Sequence, residues 1–406
     1  MLPRLKPQLS WRELAAAWLS PHSTSVVEFE EAFAALMGVK QAVVFPYGRT
    51  GLFVLLRALG FQGREIICPA YTCVVVPHAI VTSGNEPVFV DSQPGDYNMN
   101  LDLVEQAVNE KTAAIIATSV FGYPVDLDKL RLLEDRYPHI VIIQDCAHSF
   151  AAQWGDEPVQ RSGEAAIFGL NISKLMTSIY GGMVTTDNPS LAGSLRRLRA
   201  DLLMQPSWKK ALLRKLYLTA VYPAFSSIGY SFVNYLERAG VLKALTEYYQ
   251  EAIIDMPQDY LIGLTSAEAE VGKIQVAKYH QIIAGRRRAA NFYNESLADL
   301  AHSIQLPPLV PGATYSHYVP KVTQRSEILS YALRQGVQLG QLIEYCIPEM
   351  PAYAGRAGNR FSYPVASDAS RTAINLPVWS NHQKDWEKVS SVLHKYYQQA
   401  RSRRVQ

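Results

Sequence analysis

The sequence predicts an α/β fold, with a mostly parallel sheet flanked by helices in a large domain and a smaller α/β domain at the C-terminal end. Short apolar runs alternate with helical patterns from residue 40 to about 190. Several of these runs are apolar throughout, which is typical of strands covered on both faces. Hydrophobic residues make up 48% and charged residues 18% of the 406 residues, which is enough for a large core.

Seven runs are predicted strands because they are short, apolar and rich in β-branched residues. In chain order they are QAVVFP, EIICPAY, EPVFVDS, AAIIATSVFG, IVIIQDCA, AAIFGLN and GGMVTTD. The segments TGLFVLLRALG, VVVPHAIVTSG, LDLVEQAVNE and DLDKLRLLEDRYP lie between them and repeat apolar residues at helical spacing. Strands that alternate with helices form a parallel sheet, and its ligand site lies beyond the carboxyl ends of the strands.

The second half of the chain divides differently. Residues 201–258 are helical and aromatic-rich, and we interpret them as an insertion in a large domain of residues 1–260. A long amphipathic helix, VGKIQVAKYHQIIAGRRRAANFYNESL, then leads into the C-terminal domain of residues 261–406. In that domain ATYSHYVPKV is a predicted strand, and SEILSYALRQG is a predicted helix closed by Gly336. Arg286, Arg287 and Arg288 are predicted to form a solvated helix face.

Charge and cysteine content exclude several classes of function. The formal net charge of +3 gives no reason to expect a partner nucleic acid. The four cysteines form no CxxC pair, so neither a zinc site nor a redox motif is indicated. The first 22 residues lack a continuous apolar segment and a cleavage site, so we expect no secretion signal and a cytoplasmic protein with free thiols.

A turn between the first predicted strand and its helix is a candidate phosphate site. In PYGRTGL, Gly48 allows a tight turn, and Arg49, Thr50 and Gly51 occupy the start of the helix. Amides at a helix N-terminus attract anions, and here a cation and a hydroxyl accompany them. Glycine and threonine are also common in strand-to-helix turns without any ligand, so this motif alone does not define a site.

Two further segments place reactive side chains at strand ends. Asp145 ends the buried run IVIIQDCA, where it either caps the chain locally or pairs with a cation in the crevice, and His148 follows it. Lys174 is the only charged residue in IFGLNISKLMTSIYGGMVTT, and Gly181 and Gly182 allow the backbone to approach closely behind it. Burial disfavours the charged form of a lysine, so its ammonium reaches water or the side chain is held as a neutral nucleophile.

Cys73 leaves a strand in CPAYTCVVV, beside the predicted crevice, where it is either a small buried residue or a neighbour of the ligand. A phosphate-binding helix start, a buried aspartate and a lone lysine at one crevice together indicate pyridoxal 5′-phosphate. That cofactor needs an amine for its Schiff base, a carboxylate for its pyridine nitrogen and an anchor for its phosphate.

Seven segments, taken in chain order, follow a known pattern: FEEAFAALMGVKQAVVFPYGRTGL, PAYTC, VFVDS, VFGYPVDLDKL, IIQDCAHSF, FGLNISKLMTSIYGGMVTT and SRTAINLPVW. By these segments the chain, from about Glu28 to Val389, resembles the DegT/StrS-type sugar aminotransferases, which are pyridoxal-phosphate enzymes of fold type I. It implies a homodimer with shared active sites. The implied reaction transfers an amino group from an amino-acid donor, expected to be glutamate, to a keto-sugar carried on a nucleotide.

The resemblance also implies roles for individual residues. Lys174 would be the Schiff-base lysine and proton shuttle, and Asp145 would hold the pyridinium nitrogen. His148 lies where the family has a glutamine or histidine near the ring hydroxyl. Arg49 and Thr50 lie on the turn that holds the phosphate.

Three positions depart from the family pattern. Gly169 replaces a phosphate-binding serine, Cys73 replaces an aromatic ring stacked on the cofactor, and Leu261 replaces an asparagine that reaches the partner subunit's phosphate. These departures and the uncharged run of residues 216–236 leave open a non-catalytic membrane-associated scaffold, and a keto-sugar dehydratase is a second alternative within the same fold. The family's dehydratases replace the lysine with histidine, and a scaffold needs neither Lys174 nor Asp145.

Residues 216–236, LYLTAVYPAFSSIGYSFVNYL, carry no charge. Pro223, Gly229 and scattered polar residues argue against a membrane-spanning helix, and a lid or dimer-packing element is the first interpretation. The alternative is a weak peripheral contact of residues 209–236 with the inner face of a membrane. In that arrangement Lys209, Lys210, Arg214 and Lys215 would face anionic headgroups.

Overall fold

The computed structural model describes residues 1–238 and 249–405 and has a central seven-stranded sheet. The strands are β1 Gln41–Phe45, β2 Glu65–Pro69, β3 Glu86–Val90, β4 Thr112–Thr118, β5 Val141–Asp145, β6 Gln153–Trp154, β7 Glu157–Pro158, β8 Ala165–Gly169, β9 Gly182–Thr186, β10 Ile304–Gln305 and β11 Lys321–Val322. The sheet order is β1-β9-β8-β5-β4-β2-β3, and only β9 runs against the others. The predicted mostly parallel sheet and all seven of its strands are therefore confirmed.

Helices cover both faces of this sheet. They are α1 Trp11–Leu19, α2 Ser25–Met37, α3 Gly48–Ala58, α4 Val75–Thr82, α5 Leu101–Ala107, α6 Leu127–Arg136, α7 Pro189–Leu202, α8 Trp208–Ala224, α9 Ser227–Arg238, α10 Ser266–Ser296, α11 Arg325–Arg334, α12 Pro364–Thr372 and α13 Gln383–Val405. Alternate residues of one strand join different core clusters, with Val43 on one side of the sheet and Val44 on the other. Burial on both faces explains why the runs lack polar alternation.

The long helix α10 connects the sheet to the C-terminal region. It begins at Ser266, five residues before the predicted pattern, because Thr265 and Glu268 form a reciprocal capping box. One core cluster contains residues from both sides of the predicted boundary at residue 260, such as Val43 and Val389. The division into two domains therefore stays a prediction.

Two expectations for the second half are wrong. Arg286 is buried, and its guanidinium donates to the carbonyl of Ser316, so the three arginines do not share a solvated face. In ATYSHYVPKV only Lys321 and Val322 form a strand. Tyr315 has a φ of +47°, and this left-handed residue bends the chain so that the backbone N–H of Thr314 donates to the carbonyl of Gly122.

The predicted helical insertion contains α8 and α9, while residues 239–248 lie outside the described part of the chain. Among the helices that the structure describes, none is both long and apolar enough to cross a bilayer. The alternative of a peripheral membrane contact, in which four cations of α8 face headgroups, is wrong for two of those cations. Lys210 and Arg214 point inward, because each pairs with the carboxylate of Asp259.

Candidate active site

The carboxyl ends of the parallel strands bring the predicted site residues to one edge of the sheet. Asp145 is the last residue of β5, and Gly169 is the last residue of β8, the neighbouring strand. The turn with Arg49 and Thr50 follows β1, and Cys73 lies between β2 and α4. This edge is where an open α/β sheet binds its ligand.

Asp145 is 3% exposed and is held by two hydrogen bonds. Its carboxylate accepts one from the backbone N–H of Ala147 at 3.0 Å and one from the hydroxyl of Thr118, at the end of β4, at 3.4 Å. Burial raises the pKa of this carboxyl, whereas these hydrogen bonds and the positive charge of Lys174 lower it. The net effect is a raised pKa, so a cationic ligand that donates a hydrogen bond to this carboxylate would stabilise its charged form.

Lys174 lies in a loop that is tied firmly to the sheet. Its backbone N–H donates to the carbonyl of Asn171, whose side-chain oxygen accepts from both the N–H and the hydroxyl of Ser173. Farther along, the N–H of Ser178 donates to the carbonyl of Leu170. Ile179 has a φ of +75°, a strained value for a β-branched residue, and such strain is concentrated at functional sites.

The Lys174 side chain is partly exposed. Desolvation lowers the pKa of its ammonium, and the nearby Cys73 thiol and Asp145 carboxyl act in the opposite direction. A Cβ added at Gly169 would lie 3.2 Å from Cε of Lys174. The glycine therefore leaves room for the lysine stem beside β8, and the lowered pKa increases the fraction of neutral, nucleophilic amine.

The phosphate turn is built by close backbone contact. A Cβ on Gly182 would lie 2.3 Å from the backbone nitrogen of Gly48, so only glycine allows β9 to approach this turn. The first hydrogen bond within α3 runs from the N–H of Gly51 to the carbonyl of Tyr47. The preceding amides of Gly48, Arg49 and Thr50 therefore have no partner within the helix and can bind an anion.

The two predicted phosphate ligands, Thr50 and Arg49, have different groups available to bind an anion. Thr50 is fully buried, and its hydroxyl already donates to the carbonyl of Tyr260 at 3.1 Å, so its backbone N–H, rather than its hydroxyl, is available to an anion. Arg49 is partly exposed, and within the described residues its guanidinium has neither a hydrogen bond nor an ion pair. An unpaired cation beside free amides completes an anion site.

His148 lies beside Lys174, and its ring stacks on Phe121 with centroids 5.8 Å apart. The N–H of Phe121 donates to Nδ1 of His148, and burial together with Lys174 and His317 lowers the pKa of the imidazole well below its usual value. A neutral ring that accepts at Nδ1 has its proton on Nε2. His148 can therefore donate a hydrogen bond from Nε2.

Sequence reasoning missed His317, whose ring lies 5.3 Å from that of His148. His317 is buried, and desolvation with the charges of Arg286 and Lys174 lowers its pKa well below its usual value. The sequence predicts a strand for its segment, and a histidine within a strand does not by itself indicate a site. Two polar residues, Ser316 and His317, between tyrosines were the signal that could have identified it.

A second group of residues that the sequence did not indicate is a polar cluster that holds Tyr47, the residue before the phosphate turn. The hydroxyl of Tyr47 donates to Asp259, and Arg214 of α8 bonds both Tyr47 and Asp259 at 3.2 and 2.7 Å. Arg214 also lies 3.1 Å from the buried carboxylate of Glu268 and 4.0 Å from the ring of Tyr180. Leu261, two residues after Asp259, accepts a backbone hydrogen bond from Met204 and provides no polar side chain.

Comparisons with known proteins identify the family of the chain. A model of the DegT/DnrJ/EryC1/StrS aminotransferase family matches residues 10–395. GDP-perosamine synthase of Caulobacter vibrioides is 25% identical over 395 residues, covering 93% of this chain and 94% of that protein. The dTDP-3-amino-3,4,6-trideoxy-alpha-D-glucose transaminase of Micromonospora megalomicea is 27% identical over 369 residues, covering 89% and 86%. The structure of Helicobacter pylori PseC, an aminotransferase of pseudoaminic acid biosynthesis, superimposes with a TM-score of 0.75 at 20% identity, covering 97% and 99%.

Proposed function

Because the chain belongs to the DegT/DnrJ/EryC1/StrS aminotransferase family, we propose that it transfers an amino group from an amino acid to a nucleotide-linked keto-sugar. Glutamate is the proposed donor and pyridoxal 5′-phosphate the cofactor. The observation that carries the proposal is the partly exposed Lys174, whose pKa is lowered, at the same sheet edge as the buried carboxyl of Asp145. The nucleotide-sugar substrate is supported by the names of the two relatives, which are a GDP-sugar synthase and a dTDP-sugar transaminase.

The residues at the sheet edge suit this cofactor. Arg49 and the amides of the α3 turn would bind the phosphate, and the carboxylate of the buried Asp145 would accept a hydrogen bond from the protonated ring nitrogen and so keep that nitrogen protonated. The Nε2 proton of His148 would meet the ring hydroxyl, and Cys73 would leave one ring face less covered than an aromatic residue does. When bound, the cofactor supplies an aldehyde that condenses with amines and a ring that accepts electrons from the adjacent carbon.

Lys174 would act twice in the proposed reaction. Its amine, made less basic by desolvation, would first hold the cofactor covalently until the donor amine displaces it. Once displaced, the same amine would remove a proton from the donor carbon and deliver it to the cofactor carbon on the other side of the donor nitrogen, as general base and then general acid. Because its loop is tied to Leu170 and Asn171, the amine would stay on one side of the reacting atoms.

The two neutral histidines would recognise polar atoms without adding charge. Since the pKa values of His148 and His317 lie well below their usual value, both rings stay neutral at pH 7. Neutral rings leave Asp145 as the charged partner of the cofactor ring and Arg49 as that of the phosphate. We also propose that the active enzyme is a homodimer with shared sites, as the resemblance of the chain to fold-type-I enzymes implies.

The test is a two-step spectroscopic assay on the purified protein. We expect added pyridoxal phosphate to give a visible absorption band, which glutamate bleaches with release of 2-oxoglutarate, and which a nucleotide-linked keto-sugar restores. Release of ammonia and loss of sugar oxygen, without transfer of the amino group, would indicate the dehydratase instead. Failure to take up cofactor would favour the scaffold, and a fully active monomer in light scattering would contradict the shared site.

Arg49→Met is expected to weaken pyridoxal-phosphate binding by about 10- to 100-fold, because a charge-assisted bond to a phosphate is worth about 1.5–3 kcal/mol. The apparent dissociation constant is measured by the quenching of tryptophan fluorescence. Arg57→Met is the matched control, because Arg57 lies on the exposed side of the same helix, with its guanidinium over the ring of Phe53. Equal affinities for the two variants would remove Arg49 from the phosphate site.

A further inference from the structure

The orientation of helix α8 is the reverse of that of an ordinary surface helix, because its charged side faces the protein and its apolar side faces outward. In a surface helix, apolar residues face the core and charged residues face water. In α8 the charged Lys210 and Arg214 are directed inward, at 9% and 15% side-chain exposure, whereas Trp208, Leu213 and Leu216 are 71%, 65% and 49% exposed. Something other than water is expected to cover so apolar a surface.

The inner side of α8 is fixed by specific polar contacts, so the orientation of the helix is determined. Lys210 donates to the carbonyl of Ile262 at 2.8 Å and lies 3.3 Å from the carboxylate of Asp259. Arg214 pairs with Asp259 and with the fully buried Glu268. Rotating the helix to bury its leucines would leave these carboxylates without their cations, which is costly.

The exposed apolar surface continues onto α1. The indole N–H of Trp18 donates to the hydroxyl of Thr219 at 3.1 Å, and Nζ of Lys215 lies 5.3 Å from the Trp18 ring. Trp18 and Leu19 are themselves 41% and 82% exposed. We call this surface the outer face: Trp18, Leu19, Trp208, Leu212, Leu213 and Leu216.

We propose that the outer face binds the surface of an anionic lipid bilayer, with the enzyme lying on the membrane rather than spanning it. Residues 202–236 contain no aspartate or glutamate, and Glu13, the only acidic residue of α1, is buried. The exposed Lys209 and the partly exposed Lys215 each lie over a tryptophan ring, at 5.9 and 5.3 Å. A surface that is rich in tryptophan, leucine and lysine and lacks acidic residues binds at the headgroup level of anionic membranes.

A second copy of the chain is a less suitable partner for the outer face than an anionic membrane is. In a twofold dimer through the outer face, the same patch meets itself, so Lys209 and Lys215 would meet other cations. Residues 202–236 offer no carboxylate to pair with them, and like charges that are brought together weaken an interface. Anionic headgroups supply the missing negative charge. This inference extends beyond the proposed reaction, because it depends on the surface of α1 and α8 alone.

The experiment is sedimentation of the cofactor-loaded protein with lipid vesicles. We expect it to sediment with vesicles that contain about one third phosphatidylglycerol and to stay in solution with pure phosphatidylcholine, with binding reduced by added salt. The double variant Leu213→Gln, Leu216→Gln is expected to bind at least about tenfold more weakly, because two leucines no longer enter the membrane interface. Lys209→Gln with Lys215→Gln is expected to remove the preference for anionic lipid.

The matched control is Leu132→Gln on α6, since Leu132 is 68% exposed but lies outside the outer face. Vesicle binding, melting temperature and aminotransferase activity are all expected to stay unchanged in this control. Wild-type protein that ignores anionic vesicles, or a leucine variant that binds as well as wild type, would overturn the proposal. So would a fall in native mass, measured by light scattering, in the leucine variant, because a second copy would then cover the outer face.

Discussion

Lys174→Ala is expected to abolish covalent attachment of pyridoxal phosphate and to lower aminotransferase activity by at least about 1,000-fold, because one amine both binds the cofactor and transfers the proton. The variant still has the phosphate turn and Asp145, so we expect it to bind the cofactor without a covalent bond. Reduction with borohydride followed by peptide mass mapping measures the attachment. The wild type is expected to carry the label on the peptide that contains Lys174.

Lys174→Arg tests whether the amine or the positive charge matters. Arginine keeps the charge that acts on Asp145 and His148 but cannot form the covalent bond, so it is expected to be as inactive as alanine. Lys129→Ala, which removes an exposed lysine paired with Asp102, is the control that should react normally. Cofactor label on another lysine, or substantial activity in Lys174→Ala, would refute the assignment.

The strands and the two central site residues could be predicted because both depend on local apolar sequence. Burial on both faces makes each strand an uninterrupted apolar run. The same burial makes a polar residue at a strand end conspicuous, as with Asp145 and Lys174. The structure brings both residues to one sheet edge, and their pKa shifts oppose ordinary ionisation.

The supporting residues could not be predicted, because their roles depend on long-range contacts. His317 contacts His148, which lies 169 residues earlier in the chain, from a segment in which Tyr315 has a left-handed backbone conformation. Arg214 supports the phosphate turn through Tyr47 and Asp259, which lie 167 and 45 residues away in sequence. Helical periodicity also gave no indication that α8 has its charged side inward, since the pattern shows amphipathicity but not which side is packed.

The effect of Asp145 on stability distinguishes two possible roles of this residue, which are a ligand of the cofactor and a structural cap of the local chain. Burial raises the pKa of its carboxyl above the unfolded value of 3.8, so the folded protein without cofactor binds a proton more tightly than the unfolded chain does. Its contribution to stability is therefore complete below pH 3.8 and is lost as the pH rises through the raised pKa. Above that pH range the buried carboxyl lowers the stability of the unloaded protein, and a cationic ligand that donates a hydrogen bond to it offsets that cost.

Asp145→Asn is accordingly expected to leave the melting temperature of the unloaded protein at pH 7 unchanged or higher, while activity falls by about 100- to 1,000-fold. The amide keeps both hydrogen bonds, since its oxygen can accept from Ala147 and its nitrogen can donate to the hydroxyl of Thr118. The neutral amide cannot balance the positive charge of the cofactor ring. The rise in melting temperature on adding pyridoxal phosphate should therefore be smaller than in wild type. Calorimetry with and without cofactor measures both effects. A structural cap predicts the reverse pattern, in which Asn retains activity and Asp145→Ala loses stability, because the Ala147 amide would then be buried without an acceptor.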